Sequence, residues 1–161
     1  MKPAEKQRPF QTRFSFGATT AIITNLGLVC GLDTASNPKR AIVGSILLVA
    51  LADNISDSFG IHLFQESERI GGREVWFSTL TNFSTRLLVS LTFLLLVIFL
   101  PIEVAVVCSI AWGLALLTLL SYAVARDRKE SPLATIAEHL TIAAGVVAAS
   151  HYVGRFLADK F

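Results

Sequence analysis

The sequence predicts an all-α, polytopic membrane protein with five transmembrane helices. Of its 161 residues, 53% are hydrophobic and only 16% are charged, and the mean hydropathy is +0.60. Soluble domains carry about 25% charged residues. The apolar residues also form long runs, and about 20 such residues make a helix that crosses the ~30 Å hydrocarbon core of a bilayer. Five of these helices use most of the chain, so residues 1–161 are expected to form a single membrane domain.

The composition also excludes several functional classes. The net charge is +2 and no basic patch stands out, so nucleic acid is not expected as a partner. P-loop, GxSxG, HExxH and CxxC motifs are absent, and no spacing of Ser, His and Asp suggests a catalytic triad. We therefore expect no enzymatic activity. Cys30 and Cys108 both lie in apolar stretches, where small buried thiols are the expectation.

The first two predicted spans cover residues 16–32 and 41–64. A polar turn that contains Asn37 and Pro38 separates them. The first span is short and rich in glycine and threonine. The second span changes character halfway, because the apolar run AIVGSILLVALA is followed by the polar run DNISDSFGIH.

The remaining three spans are predicted at residues 84–100, 104–124 and 132–157. A polar stretch precedes the third span, with a break at Gly71 and Gly72, and a tight turn at Pro101 leads into the fourth. After a charged loop, Ser131 and Pro132 are typical of the N-cap and first position of a helix, which here is the fifth span.

The distribution of basic residues predicts the orientation in the membrane. Ten lysines and arginines belong to the N-terminus and to the loops after spans two and four, against four on the opposite side. Because basic loops stay in the cytoplasm, we expect a cytoplasmic N-terminus and an external C-terminus. We expect the bilayer to be a bacterial inner membrane.

Two carboxylates inside the second span are the strongest anomaly. Asp53 and Asp57 lie four residues apart and share a helix face. A carboxylate in hydrocarbon is costly and is found facing a bundle interior, a water-filled cavity or a cation. The same face continues to Glu68, and such oxygen ligands suit Mn²⁺ and Fe²⁺, so we predict Asp53, Asp57 and Glu68 as metal ligands. The alternative is a structural polar cluster, bonded to Asn25, Asn54, Ser56 or Ser58.

The first span carries small and polar residues along one face, at spacings of three and four. They are Gly17, Thr20, Thr24, Gly27 and Gly31. Small residues let helices approach closely in lipid, which indicates that the three glycines form a helix-packing or dimer seam. The second interpretation is the wall of an ion pathway. Both interpretations hold if the pathway follows a dimer axis.

The pathway prediction includes residues of both spans. They are Thr20, Thr24, Asn25, Asn54 and His62. On a regular helix His62 points about 180° away from Asp53, at 100° per residue. It would therefore reach the same ion only from a second copy or beside another helix. Helix packing or a position at the membrane interface is the alternative for His62.

Several segments, taken in order, resemble the vacuolar iron transporter family of Fe²⁺ and Mn²⁺ transporters. The similarity covers about residues 14–158. Its segments are GATTAIITNLGLVCGL, LLVALADNISDSFG, the Leu100-Pro101 turn, SPL at the start of the fifth span, and HYVGRFL near its end. Only about 20 residues connect spans two and three, so the chain resembles the short, nodulin-like members without the cytoplasmic metal-binding domain.

The resemblance implies a homodimer with an ion pathway between its protomers. It also implies export of Fe²⁺ or Mn²⁺ from the cytoplasm, coupled to protons, with no permanently bound cofactor. The chain departs from the family at Thr20, where the first helix normally carries an aspartate, and at Ile61, where the second carries a methionine. Asp53 is retained and Asp57 is additional, so we expect the acidic function to have moved to the second helix.

Two other functions are compatible with these departures. One is a membrane protein of the same fold that does not transport and serves as an interaction or structural module. The other is a transporter of a different small solute. A hydrated cavity beside the polar half of span two favours transport, whereas a dry packed seam favours a structural role.

Overall fold

The computed structural model describes residues 9–160, with side chains from residue 15 to residue 160. The basic residues of the N-terminus that support the predicted orientation, Lys2, Lys6, Arg8 and Arg13, lie outside the described side chains. The described chain consists of helices and short turns. The helices are α1 (Pro9–Leu32), α2 (Pro38–Leu48), α3 (Asn54–Ser67), α4 (Gly72–Phe99), α5 (Ile102–Arg128) and α6 (Pro132–Lys160).

Five of these helical segments are long and apolar enough to cross a membrane. A π-helical turn, Val49–Asp53, joins α2 to α3, so that both belong to one continuous 30-residue helix. The segments are Ser15–Leu32, Pro38–Ser67, Gly72–Phe99, Ile102–Arg128 and Pro132–Lys160. The predicted all-α architecture with five spans is therefore confirmed, and the chain is an integral membrane protein.

Helix α1 lies at the centre of the bundle and packs against α2, α4, α5 and α6. Its Ile22, Leu26 and Val29 are almost completely buried. They form one apolar core with residues of the surrounding helices, including Ile42, Ile46, Phe93, Val97, Leu117 and Ala143. Helix α3 packs instead on α4, so α4 connects the central helix to the polar half of the second span.

The glycines of α1 are points of close approach within one protomer. A Cβ atom at Gly27 would lie 3.2 Å from Ser150 Oγ of α6, and one at Gly31 would lie 3.3 Å from the Ser150 carbonyl oxygen. On the facing helix, a Cβ atom at Gly154 would overlap the carbonyl oxygen of Gly31. Gly17 faces α4, where Asn82 Oδ1 would lie 2.7 Å from a Cβ atom. The predicted glycine seam thus packs helices of the same chain.

The third membrane helix begins earlier than the sequence predicts. The predicted span starts at residue 84 after a polar stretch, whereas α4 is helical from Gly72. The prediction is wrong because it treats polar residues as belonging outside the membrane. Ser78, Asn82 and Arg86 are buried on the inner side of α4, where they bond to polar atoms of α3.

The start of α2 is tied to the end of α4. Asn37 caps α2 by accepting a hydrogen bond from the Arg40 backbone N–H at 3.4 Å, with Pro38 in the first turn. Lys39 Nζ then donates to the carbonyl oxygens of Ile98 at 2.9 Å and Leu100 at 3.2 Å. These carbonyls lack partners within their own helix, so Lys39 satisfies them and fixes the antiparallel register of α2 and α4.

We predict that Gly154→Ala destabilises the protein, whereas Gly145→Ala does not. The added methyl group at position 154 would overlap the Gly31 carbonyl oxygen, and overpacking of this kind costs about 1–3 kcal/mol. Gly145 lies on the same helix with nothing within 4 Å of its Cβ position. Thermal unfolding of the two purified variants in detergent measures the difference. Equal melting temperatures would contradict the close packing of α1 on α6.

Candidate functional site

The candidate site lies at the middle of two membrane-spanning helices. Asp53 ends the π-helical turn and is close to the midpoint of the helix that runs from Pro38 to Ser67. Arg86 is close to the midpoint of Gly72–Phe99. A π-helical turn inserts an extra residue into the helix and is frequent at functional sites. Here it directly precedes α3, which carries Asp57 in its first turn.

Arg86 binds both aspartates of the second span. Its Nη1 donates to Asp57 Oδ2 at 3.0 Å, and its Nη2 donates to Asp53 Oδ2. The Arg86 side chain is 3% exposed, against 29% for Asp57 and 53% for Asp53. A planar guanidinium presents donors in a fixed fork, which suits it to bridging two carboxylates. With all three groups ionised the cluster carries one net negative charge.

A polar network extends the ion pairs along the α3–α4 contact. Asn82 Nδ2 donates to Asp57 Oδ2 at 3.1 Å and to Ser58 Oγ at 3.0 Å. Asn54 Nδ2 crosses to the carbonyl oxygen of Phe83 at 2.9 Å. Since Asn54, Ser58 and Asn82 are all buried, these bonds satisfy groups that hydrocarbon would leave without partners.

Two members of the predicted structural cluster lie elsewhere. Ser56 is exposed on the surface of α3. Asn25 is buried between α1 and α4, where its Nδ2 donates to Ser90 Oγ at 3.0 Å and to the Ala21 carbonyl oxygen at 2.7 Å. The cluster that the sequence offers as an alternative therefore forms through Asn54 and Ser58.

Small side chains form an exposed stripe on the surface of the helix beside Asp53. Ala52, Ser56 and Gly60 recur every four residues and are all exposed, and a Cβ atom at Gly60 would meet nothing within 4 Å. A half-exposed carboxylate halfway along a membrane span is unfavourable against lipid. This surface is therefore suited to contact with protein or water.

A cavity of about 450 Å³ lies beside Asp57. It is located between α1 and α3, and residues of α4 also line it. Its lining residues are Phe16, Asp57, Gly60, Ile61, Phe64, Gln65, Ser78 and Asn82. Most of them belong to the end of the bundle where α3 ends and α4 begins, which we call the α3–α4 end. Thus the polar half of span two borders a cavity on one side and a packed seam on the other.

The five predicted pathway residues do not line this cavity. Thr20 Oγ1 bonds within its own helix, to the Phe16 carbonyl oxygen at 2.9 Å, and Thr24 is partly buried. Asn25 and Asn54 are enclosed between helices by the contacts described above. Asn25 thus belongs to the contact of α1 with α4, and Asn54 to the contact of α3 with α4.

His62 lies in a separate cluster near the α3–α4 end. Its Nδ1 is 3.0 Å from Thr79 Oγ1, and its Nε2 is 3.4 Å from Glu66 Oε1. The Thr79 hydroxyl also donates to the Val75 carbonyl oxygen at 2.9 Å. The edge of Trp76 packs on the ring, with centroids 4.6 Å apart. His62 thus packs α3 on α4 and does not join the aspartates.

Glu68 lies apart from the two aspartates. It follows the end of α3 and is exposed. Eleven residues separate it from Asp57, which is about 16 Å along a helix axis. Among the described residues, no three His, Cys, Asp or Glu side chains come together as a metal site. Glu68 therefore does not join Asp53 and Asp57 in the predicted set of three metal ligands.

Arg86 and Asn82 are the site residues that the sequence interpretation misses. It counts Arg86 among the loop charges that set the orientation. A signal is nevertheless present, because Ser78, Asn82, Arg86 and Ser90 recur every four residues and therefore share one helix face. When a helix has a polar face and its sequence continues into an apolar run, the polar side chains are expected to be buried against polar partners.

Comparison with known protein families, with curated proteins and with solved structures finds no match to this chain. The resemblance to the vacuolar iron transporter family therefore stays a prediction from the motifs.

We predict that Arg86→Gln strongly destabilises the protein. Without the guanidinium, two carboxylates remain unpaired inside the membrane, and breaking a buried pair by removing one partner costs about 3–5 kcal/mol. The control is Arg128→Gln, which removes an exposed ion pair to Glu130 that is worth about 0–1 kcal/mol. Unfolding of both variants in detergent gives the comparison. Equal stability of the two variants would contradict the buried role of Arg86.

Proposed function

We propose that the protein is a divalent-cation transporter, which exports Fe²⁺ or Mn²⁺ from the cytoplasm as a proton-coupled homodimer. The observation that carries the proposal is the half-exposed Asp53 at the middle of a membrane span. Charged residues at this depth mark substrate pathways and proton relays in membrane proteins. The transported ion is the substrate, and no resident cofactor is involved.

The charge of the cluster suits a divalent ion shared by two copies. Each protomer contributes two aspartates and Arg86, which together carry one net negative charge. Two copies that meet at this face would bring two net negative charges, which one divalent cation neutralises. Their oxygen ligands suit hard or borderline ions such as Mn²⁺ and Fe²⁺.

The surface around Asp53 supports contact with a second copy. Ala52, Ser56 and Gly60 form an exposed stripe of small residues that permits close approach of a neighbouring helix. A two-fold axis beside this stripe would pair each residue with its own symmetry mate. The Asp53 carboxylates would then face each other instead of lipid.

Proton coupling follows from the same charges. Carboxylates that lie close together disfavour each other's ionised form unless a cation is present. A metal ion that enters would therefore displace protons, and protons that enter would release the metal ion. This exchange is the elementary step of a metal–proton antiporter.

The location of the cavity suits loading from the cytoplasm. It lies near the α3–α4 end, and the basic loops of the chain assign that end to the cytoplasmic side. We propose this orientation, with the C-terminus outside, in a bacterial inner membrane. Asp57 then lies within reach of cytoplasmic ions.

A structural or interaction module is the second candidate. The observation that favours it is Arg86, whose bonds to both aspartates already balance one of the two negative charges. In that case the ion pairs hold α3 against α4 and no ion passes.

We predict that purified protein in liposomes transports Mn²⁺ or Fe²⁺ and that Asp57→Asn abolishes the flux. The substitution removes a negative charge from the proposed ion site. A metal-sensitive dye inside the vesicles, under an imposed pH gradient, provides the measurement. Glu130→Gln is the matched control, because this carboxylate is half-exposed in a loop and should leave the flux unchanged. Undiminished flux in a well-folded Asp57→Asn protein would contradict the metal role, and absence of flux in the wild type would favour the structural module.

We also predict that Ser56→Cys forms a disulfide-linked dimer in native membranes. The background carries Cys30→Ala and Cys108→Ala, which remove the two native thiols. Leu119→Cys is the control, since this residue is also exposed but lies on α5. Cross-linking at position 119 without cross-linking at position 56 would place the interface on a different face.

A further inference from the structure

We propose that the 450 Å³ cavity binds a small organic ammonium ion with an apolar body, such as a primary alkylamine. This inference goes beyond the proposed function, because it concerns a second class of ligand. It rests on the charge of Asp57, on the carboxylate oxygen of Asp57 that the described residues leave free, and on the apolar walls.

The polar side chains beside the cavity are bonded to one another or to α3. Gln65 Nε2 donates to Ser78 Oγ at 2.7 Å, and Asn82 Nδ2 donates to Asp57 and Ser58. The amide oxygens Gln65 Oε1 and Asn82 Oδ1 are buried without a hydrogen-bond partner among the described residues. Asn82 as a whole is only 1% exposed. Both oxygens are enclosed by protein, and Asn82 Oδ1 lies against Gly17 of α1, so the 29%-exposed carboxylate of Asp57 is the polar group that a ligand in the cavity meets.

Asp57 brings a negative charge to the cavity. The hydrogen bonds described from Arg86 and Asn82 both end on Oδ2 of Asp57. Its other oxygen, Oδ1, has no bond from the described part of the chain that competes with a ligand. Because the cluster of Asp53, Asp57 and Arg86 keeps one net negative charge, the complementary ligand carries one positive charge.

The remaining walls exclude a purely hydrophilic ligand. Phe16, Ile61 and Phe64 contribute apolar side chains, and Gly60 leaves the wall of α3 open. Ligand pockets of about 300–1,000 Å³ with apolar walls and a few polar groups take small organic molecules. A hydrated metal ion gains nothing from such walls, whereas the hydrocarbon part of an amine buries apolar surface against them.

The packing of α3 on α4 sets the orientation of the ligand. Asp57 bonds to Asn82, whereas Gln65 bonds to Ser78 one helical turn nearer to the α3–α4 end. The ammonium group therefore belongs at the deep end with Asp57. The apolar body extends along Ile61 and Phe64 toward the end of the bundle.

Calorimetric titration of the detergent-purified protein tests the proposal with hexylamine and hexanol as probes. The two molecules share their hydrocarbon chain, and at neutral pH only the amine is charged. We expect hexylamine to bind at least about tenfold more tightly than hexanol, a difference of about 1.4 kcal/mol. Equal affinity for the two would show nonspecific apolar binding and would overturn the proposal.

Gly60→Leu and Gly145→Leu form a matched pair that locates the binding site. Both glycines lie in helices with open space at the Cβ position, so neither substitution disturbs the packing within a protomer, but only position 60 lines the cavity. Because Gly60 also belongs to the stripe proposed as the dimer contact, the oligomeric state of each variant is measured beside its binding. We expect Gly60→Leu to weaken hexylamine binding at least about tenfold and Gly145→Leu to leave it unchanged. Wild-type affinity in Gly60→Leu would overturn the proposal. Since the titration contains no metal and measures no flux, a failure of amine binding is distinguishable from a failure of metal transport.

Discussion

A charge inside a bilayer must find its partner within the protein, and Arg86 meets this requirement with two aspartates. Its guanidinium is almost completely buried near the middle of α4, and it bonds to Asp53 and Asp57 of the neighbouring span. A charged side chain at this depth is costly when it is unpaired. The position of α3 against α4 therefore depends on these bonds, and so does the burial of Asn54, Ser58 and Asn82 between the two helices.

The same pairing determines the neighbouring contacts. Because α3 and α4 run antiparallel, residues further along α3 meet residues earlier in α4. The bonded pairs after Asp53–Arg86 are Asn54–Phe83, Asp57–Asn82, His62–Thr79 and Gln65–Ser78. Asp57, Gln65, Ser78 and Asn82 of these pairs line the cavity, so its position is a consequence of the register that Arg86 helps to fix.

The sequence predicts the architecture better than it predicts the site. Long apolar runs identify five spans, and Asp53 and Asp57 stand out because carboxylates are rare in such runs. Arg86, the partner of these carboxylates, lies in a stretch of sequence that is typical of a polar loop. The sequence interpretation therefore misses this arginine and starts the third span too late. The glycines of α1 are identified as a packing seam, but only the structure shows that Gly27 and Gly31 face α6 of the same chain. The cavity depends on three helices at once and has no local signature in the sequence.

A double-mutant cycle between Asp57 and Arg86 tests the central claim most directly. The free energies of unfolding of the wild type, Asp57→Asn, Arg86→Gln and the double variant would be measured in the same detergent. If the buried pair organises the α3–α4 contact, the two residues are coupled by about 1–3 kcal/mol, and the double variant is more stable than the sum of the single losses predicts. Additive losses, with a coupling energy of zero, would contradict the account.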